Sequence, residues 1–220
     1  MKIERGYLRL PEKRARMCAD ITPVKFAAPV KVGNWEYFLA PEAQGSTPQC
    51  AAFAECSILQ AASWRSRRFG YPVQYDEGEL YRAAKAIDGD KNDGTSLESI
   101  IAAAELLPGV SMDTVMSEKA TDIPWIIHQF GAVLAGLAID DGWLAPRAKD
   151  GLVTPGGAAL GGHAVVISWY DLEKGRAGGP NWWGQGWGMR GYWSMDLNNL
   201  AEQFIYGYGQ AIDFGKARAA

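Results

Sequence analysis

Apolar residues crowd the stretch that follows Ser46. From Cys50 through Ala51, Phe53, Ala54, Ile58, Leu59 and Ala62 toward Arg68 they fall on several helical faces at once. That pattern predicts a central, buried helix. Thr47-Pro48-Gln49-Cys50 reads as its start, with Thr47 as N-cap and Pro48 in the first turn, and Gly70 and Pro72 close it. Asp76 to Ile87 carries Leu80, Tyr81, Ala84 and Ile87 on one face, which predicts a second helix. Ser96 caps a third, with Leu97, Ile100, Ile101, Ala104 and Leu107 at helical spacing. Thr121 to Phe130 is a fourth.

Beyond Gly131 the period changes. Ala132 to Ile139 and His163 to Tyr170 are short apolar runs of strand length, and the second is rich in β-branched residues. Tyr192 to Met195 and Gln210 to Phe214 are further strands. Asp140 to Gly162 is rich in glycine and proline and reads as loop. Helices first and strands afterwards predict an α+β fold, with a helical lobe over about 44–130 and a β lobe over about 131–220. Residues 1–43 are broken by Pro11, Pro23, Pro29 and Pro41 and form an irregular extension, with a strand or two between Val24 and Leu39.

The 220 residues hold 22 basic and 25 acidic side chains, a formal net charge of −3, which gives nucleic acid no electrostatic purchase. No apolar run reaches the roughly 18 residues of a membrane span. The first twenty residues are basic but contain no apolar core of signal-peptide length, so a cytoplasmic chain with reduced thiols is expected. A virion-associated or otherwise exported chain stays open. A monomer is expected.

Three cysteines make no disulfide framework, and no CxxC or HExxH spacing offers a metal site, so neither metal nor cofactor is expected. Cys50 and Cys56 point to different faces of one helix and should not bridge. Nine tryptophans are many for this length and need a core, a cleft wall or an interface.

Cys50 is the candidate nucleophile. It sits in the first turn of a helix, where free amides and the dipole favour a thiolate. Of the two histidines, His128 lies within the fourth predicted helix among apolar neighbours. His163 opens a strand after Gly161-Gly162 and is the better base. Asn181 can orient the imidazole, and Trp183 can lie over their hydrogen bond and keep it dry. Gln44, carried back over the helix start by the Gly45–Pro48 turn, can donate to an oxyanion with the Cys50 N–H.

The blocks Gln44-Gly-Ser-Thr-Pro-Gln-Cys50, Gly162-His163-Ala164-Val165 and Asn181-Trp-Trp183-Gly184-x-x-Trp187-Gly188 resemble the papain family of cysteine peptidases, in family order. The resemblance covers about residues 44–195. It implies a two-lobed fold with the site in the cleft between lobes, a protein or peptide substrate, and hydrolysis through an acyl-thioenzyme. The family carries Cys and Gly where Thr47 and Pro48 stand, so the usual disulfide beside the nucleophile is missing. Ala51, Trp182 and Gly162 also depart from the family pattern without removing a functional group. Asn92-Asp-Gly94-Thr-Ser96 resembles the loop that lines the substrate groove in bacterial-type members. Gly94 is either that wall or a plain helix-capping turn. The family is usually made with a long propeptide, whereas 43 residues precede Gln44 here, so the expectation is either an enzyme without a zymogen or a shorter segment, part of residues 1–30, that crosses or flanks the cleft. The rival readings are another Cys–His hydrolase or acyltransferase, such as a cell-wall amidase, and a catalytically silent binding module.

Overall fold

The computed structural model describes residues 29–66 and 71–215, as five α-helices, eight strands and short 3-10 turns. In chain order these are β1 (Lys31–Gly33), α1 (Cys50–Arg65), α2 (Glu77–Asp88), α3 (Leu97–Ala104), β2 (Val110–Ser117), α4 (Ile123–Phe130) and β3 (Val133–Asp140). There follow β4 (Ala159–Ile167), β5 (Trp169–Asp171), β6 (Arg176–Pro180), β7 (Tyr192–Asp196), α5 (Leu197–Gln203) and β8 (Phe204–Phe214). The end of the first helix beyond Ser66 and the segment expected to flank the cleft, up to residue 28, lie outside the described residues.

Two antiparallel sheets form, in the orders β2-β8-β3-β4 and β1-β5-β6-β7. β3 reads as an unbroken apolar run because both faces of its sheet are covered. Leu134, Ala164, Val166, Tyr206 and Tyr208 pack with α1, α2 and α3. Val133, Ala135, Leu137, Val165 and Ile167 pack with α4 and with residues of the other sheet. Only Ser168 separates β4 from β5, so the chain passes directly from one sheet into the other.

The fold is α+β as expected, but packing does not follow the switch of period at Gly131. β2 pairs along its whole length with β8, and α4 packs on β8 and β3. Two elements before residue 131 therefore belong with the strands. Within the extension, β1 pairs with β5, which ties residues 31–33 to the β lobe.

Helix starts follow local chemistry. Asp76 and Ser96 accept from the backbone N–H groups of Glu79 and Ser99, and Gly89 ends α2 in the left-handed region. α1 differs from the expectation. It begins at Cys50 with Gln49 at the cap position and no side-chain cap. The Thr47 hydroxyl donates instead to the Gln44 carbonyl at 2.6 Å, closing the preceding turn. Cys50 is thus the first helical residue, in the turn whose N–H groups lack helical partners.

α1 also carries Glu55, wholly buried, whose Oε2 accepts from Gln210 Nε2 of β8 at 2.7 Å. Glu55 Oε1 and Gln210 Oε1 are both buried without a hydrogen-bond partner. A proton on Glu55 supplies the one donor such a carboxyl–amide pair lacks. Burial pushes this carboxyl up to about 7, against the pull of Gln210 and with a small push from Glu105. Below pH 4.5 folded and unfolded chains are both protonated. Between 4.5 and about 7 only the folded chain keeps the proton, so stability falls by about 3 kcal/mol across that window and the loss persists above it. Glu55→Gln should flatten that part of the profile. Denaturant midpoints at pH 5 and pH 8 test it, and equal pH dependence in variant and wild type would refute the assignment.

Candidate active site

Three chain segments meet at the N-terminus of α1. The Ala164 N–H of β4 donates to Cys50 Sγ at 3.5 Å, which fixes β4 against the start of the helix. One residue earlier, His163 Nε2 lies 2.8 Å from Asn181 Oδ1, and Asn181 directly follows β6. Gln44 N–H donates to the Trp182 carbonyl at 2.8 Å, and Ala43 pairs with Trp183. Cys50, His163, Asn181 and Gln44 are thereby gathered from stretches more than a hundred residues apart.

The Asn181 bond sets the tautomer. A carboxamide oxygen only accepts, so Nε2 carries the hydrogen and Nδ1 holds the lone pair of the neutral ring. Asn181 is itself wholly buried, with Nδ2 unpartnered.

Both candidate groups are covered. Cys50 is 1% exposed and His163 3%. Burial pushes the thiol up to about 11, against the pull of the Ala164, Ala51 and Cys50 backbone N–H groups. Burial also draws the imidazole down to about 4, against the lift from Asn181. Each group alone is held neutral by its burial.

Gln44 is buried. One of its Nε2 hydrogens goes to the Thr47 carbonyl at 2.8 Å, leaving the other for a ligand, and its Oε1 is unpartnered. Gly94 lies before α3 with φ +83, and its N–H donates to the Tyr81 hydroxyl at 3.1 Å. Gly94 thus stands beside Tyr81 of α2, at a turn whose positive φ a side chain would strain.

Trp183 lies over His163 with ring centroids 5.0 Å apart and planes at 31°. Behind it stands Trp143, which the sequence pattern left inside a loop. Trp143 meets His163 edge-on at 6.2 Å and Trp183 edge-on at 6.2 Å, and stacks on Trp187 at 6.1 Å. The high tryptophan count was its only trace in the sequence. His128 is exposed on α4, with no role at the site. Cys50 and Cys56 are both free and buried, and no group of three or more His, Cys, Asp or Glu among the described residues could hold a metal ion.

The fold is that of the papain-like cysteine proteases, as solved structures of that class show by their superposition on this chain. Xylellain, a cysteine protease from Xylella fastidiosa, matches with a TM-score of 0.78 at 15% identity, over 96% of this chain and 97% of its own. The digestive procathepsin L 3 of Tenebrio molitor larval midgut matches with a TM-score of 0.68 at 16% identity, over 94% and 76%. Procathepsin L2 from the same source matches at 0.64 and 17% identity, over 85% and 69%. No family profile and no curated protein sequence matches the chain.

Proposed function

We propose that this protein is a cysteine peptidase that hydrolyses peptide bonds by a Cys–His–Asn mechanism. The observation that carries the reading is the pairing of two contacts: His163 Nε2 on Asn181 Oδ1, and the neighbouring Ala164 N–H on Cys50 Sγ. The ring is held in the tautomer a general base needs, one residue from the strand position that touches the sulfur.

In this reading His163 takes the thiol proton as Cys50 Sγ attacks the scissile carbonyl. The Cys50 N–H and the spare Gln44 N–H hold the oxyanion. The imidazolium then protonates the leaving amine, and water, with His163 again as base, hydrolyses the thioester. Protein or peptide is the substrate, and Gly94 and Trp183 flank its path. Among the described residues no helix is long and apolar enough to cross a membrane.

The test is cleavage of a peptide library together with labelling by a thiol-directed epoxide. Labelling of Cys50 at one equivalent, far faster than Cys18 and abolished in His163→Ala, supports a peptidase. Cleavage confined to peptidoglycan-derived peptides would make it a cell-wall amidase. Labelling of Cys50 no faster than Cys18 would leave a binding module and reject the proposal. Gln44→Ala should lower kcat/KM by about 10²–10³-fold, the usual loss for one oxyanion donor. A loss below about tenfold, read from initial rates on the best library peptide, would remove Gln44 from that role.

A further inference from the structure

A chain of polar contacts, buried at Trp143 and opening toward the surface at Asp140, runs from the aromatic roof of the imidazole to the far end of α5. Trp143, wholly buried, donates its indole N–H to Gln203 Oε1 at 2.8 Å. Gln203 Nε2 donates to Asp140 Oδ2 at 2.9 Å. Asp140 also accepts from the Gly142 N–H at 3.0 Å and the Gly156 N–H at 2.9 Å, closing the base of the loop that carries Trp143. The Trp143 carbonyl in turn accepts from Trp187 Nε1 at 2.8 Å.

This is more than an anchor for a core side chain. Trp143 touches the His163 ring edge-on and also braces Trp183, the indole that lies over that ring. Trp193 also packs against Trp143, with centroids 5.2 Å apart and planes at 48°. The imidazole has one hydrogen-bonded restraint, Asn181, which fixes Nε2 but leaves the ring free to swing about that bond. What limits the swing is the indole wall. The one hydrogen bond from an indole of that wall to a side chain, among the described residues, is that of Trp143 to Gln203. Trp193 Nε1 is buried and unpartnered, so it contributes only packing.

We propose that Gln203 and Trp143, held by Asp140, are positioning residues that set the angle of the His163 imidazole for proton transfer with Cys50. The inference rests on the peptidase reading of the site. Gln203 is well chosen for the task. Its carboxamide offers an acceptor to the indole and a donor to the carboxylate, and no other uncharged side chain of that length does both. A carboxylic acid does so only when protonated. Then its carbonyl accepts from Trp143 and its hydroxyl donates to Asp140. Ionised, it faces Asp140 with like charge.

The test uses Gln203→Leu, Trp143→Phe and Gln203→Glu in the full chain, with exposed His128 replaced by Gln so that His163 gives the only imidazole signals. Three quantities are read: melting temperature, kcat and KM on a peptide substrate, and the ¹⁵N shifts of the His163 ring. Gln203→Leu and Trp143→Phe should lower kcat by about 10–100-fold, the scale of a small misplacement of a reacting group, with KM within about twofold. The ring shifts should move from the single Nε2–H tautomer toward a mixture. Gln203→Glu should recover kcat and ring shifts at low pH and lose both as the introduced carboxyl ionises. Should Gln203→Leu fail to fold, Gln203→Glu across pH makes the same comparison within one protein. Unchanged ring shifts, with activity falling only as the folded fraction falls, would overturn the proposal and make the chain an ordinary core contact. If the wild type neither cleaves peptides nor alkylates fast, the peptidase reading fails. The ring shifts still report whether Gln203 and Trp143 orient His163.

Discussion

His163→Ala should reduce peptide hydrolysis by about 10⁵–10⁶-fold, and Cys50→Ala should do the same. The two losses should not add, because neither group acts without the other. Buried Sγ at about 11 is inert alone, and the imidazole at about 4 has no cause to gain a proton except from that sulfur. Removing the ring leaves a thiol that burial keeps protonated. Removing the sulfur leaves a base with nothing to activate. The double variant should therefore sit within a few-fold of either single one. Asn181→Ala belongs to a different class. It removes the lift that opposes the burial of His163 and frees the ring to adopt either tautomer, yet leaves sulfur and base in place. Its loss should be smaller than that of His163→Ala. Initial rates and epoxide labelling on the four proteins decide the matter. Equal losses for Asn181→Ala and Cys50→Ala would show that orientation and chemistry have been assigned to the wrong side chains. A His163→Ala variant within tenfold of wild type would dismiss the imidazole as base.

The candidate reacting groups stood out in the chain because their types are scarce: two histidines, one cysteine at the start of an apolar helix, one long tryptophan–glycine block. The pattern also disclosed helices with a capping residue at the right place, α2 and α3 above all. It hid what depends on distant partners. β2 is an edge strand that alternates weakly: only Ser111 and Asp113 are exposed, and Thr114 and Val115 are buried side by side. β6, Arg176-Ala-Gly-Gly-Pro180, reads as a turn by composition and is a central strand in fact. α5 is short and has no side-chain cap. Trp143 and Gln203 lie sixty residues apart, and nothing local marks Trp143 as a neighbour of His163 or Gln203 as the partner of Trp143.

β6 shows what composition alone conceals, and it gives the second large expected effect. Gly179 has an ordinary strand conformation, so its glycine is not there for a positive φ. A Cβ at Gly179 would lie 2.1 Å from the Val166 carbonyl oxygen and 3.0 Å from its carbon, both backbone atoms of β4. Backbone in a paired strand has no rotamer to give, so the two strands must part. Gly179→Ala should therefore cost about 4–5 kcal/mol, the range of the most damaging single substitutions and a large share of a typical domain's stability. The site should suffer beyond that loss. β4 carries His163 and β6 delivers Asn181, and the close crossing at Gly179 and Val166 sets the separation of the two strands only two or three residues from the 2.8 Å bond between those side chains. At a temperature where the variant is still folded, kcat should drop further than the folded fraction does, and the His163 ring should show the same tautomer mixing that follows loss of Asn181. Gly186→Ala, where an added Cβ meets nothing within 4 Å, is the matched control and should leave stability within about 1 kcal/mol. A Gly179→Ala protein as stable and as active as that control would mean that β4 and β6 do not approach this closely, and that the spacing of His163 and Asn181 is set elsewhere.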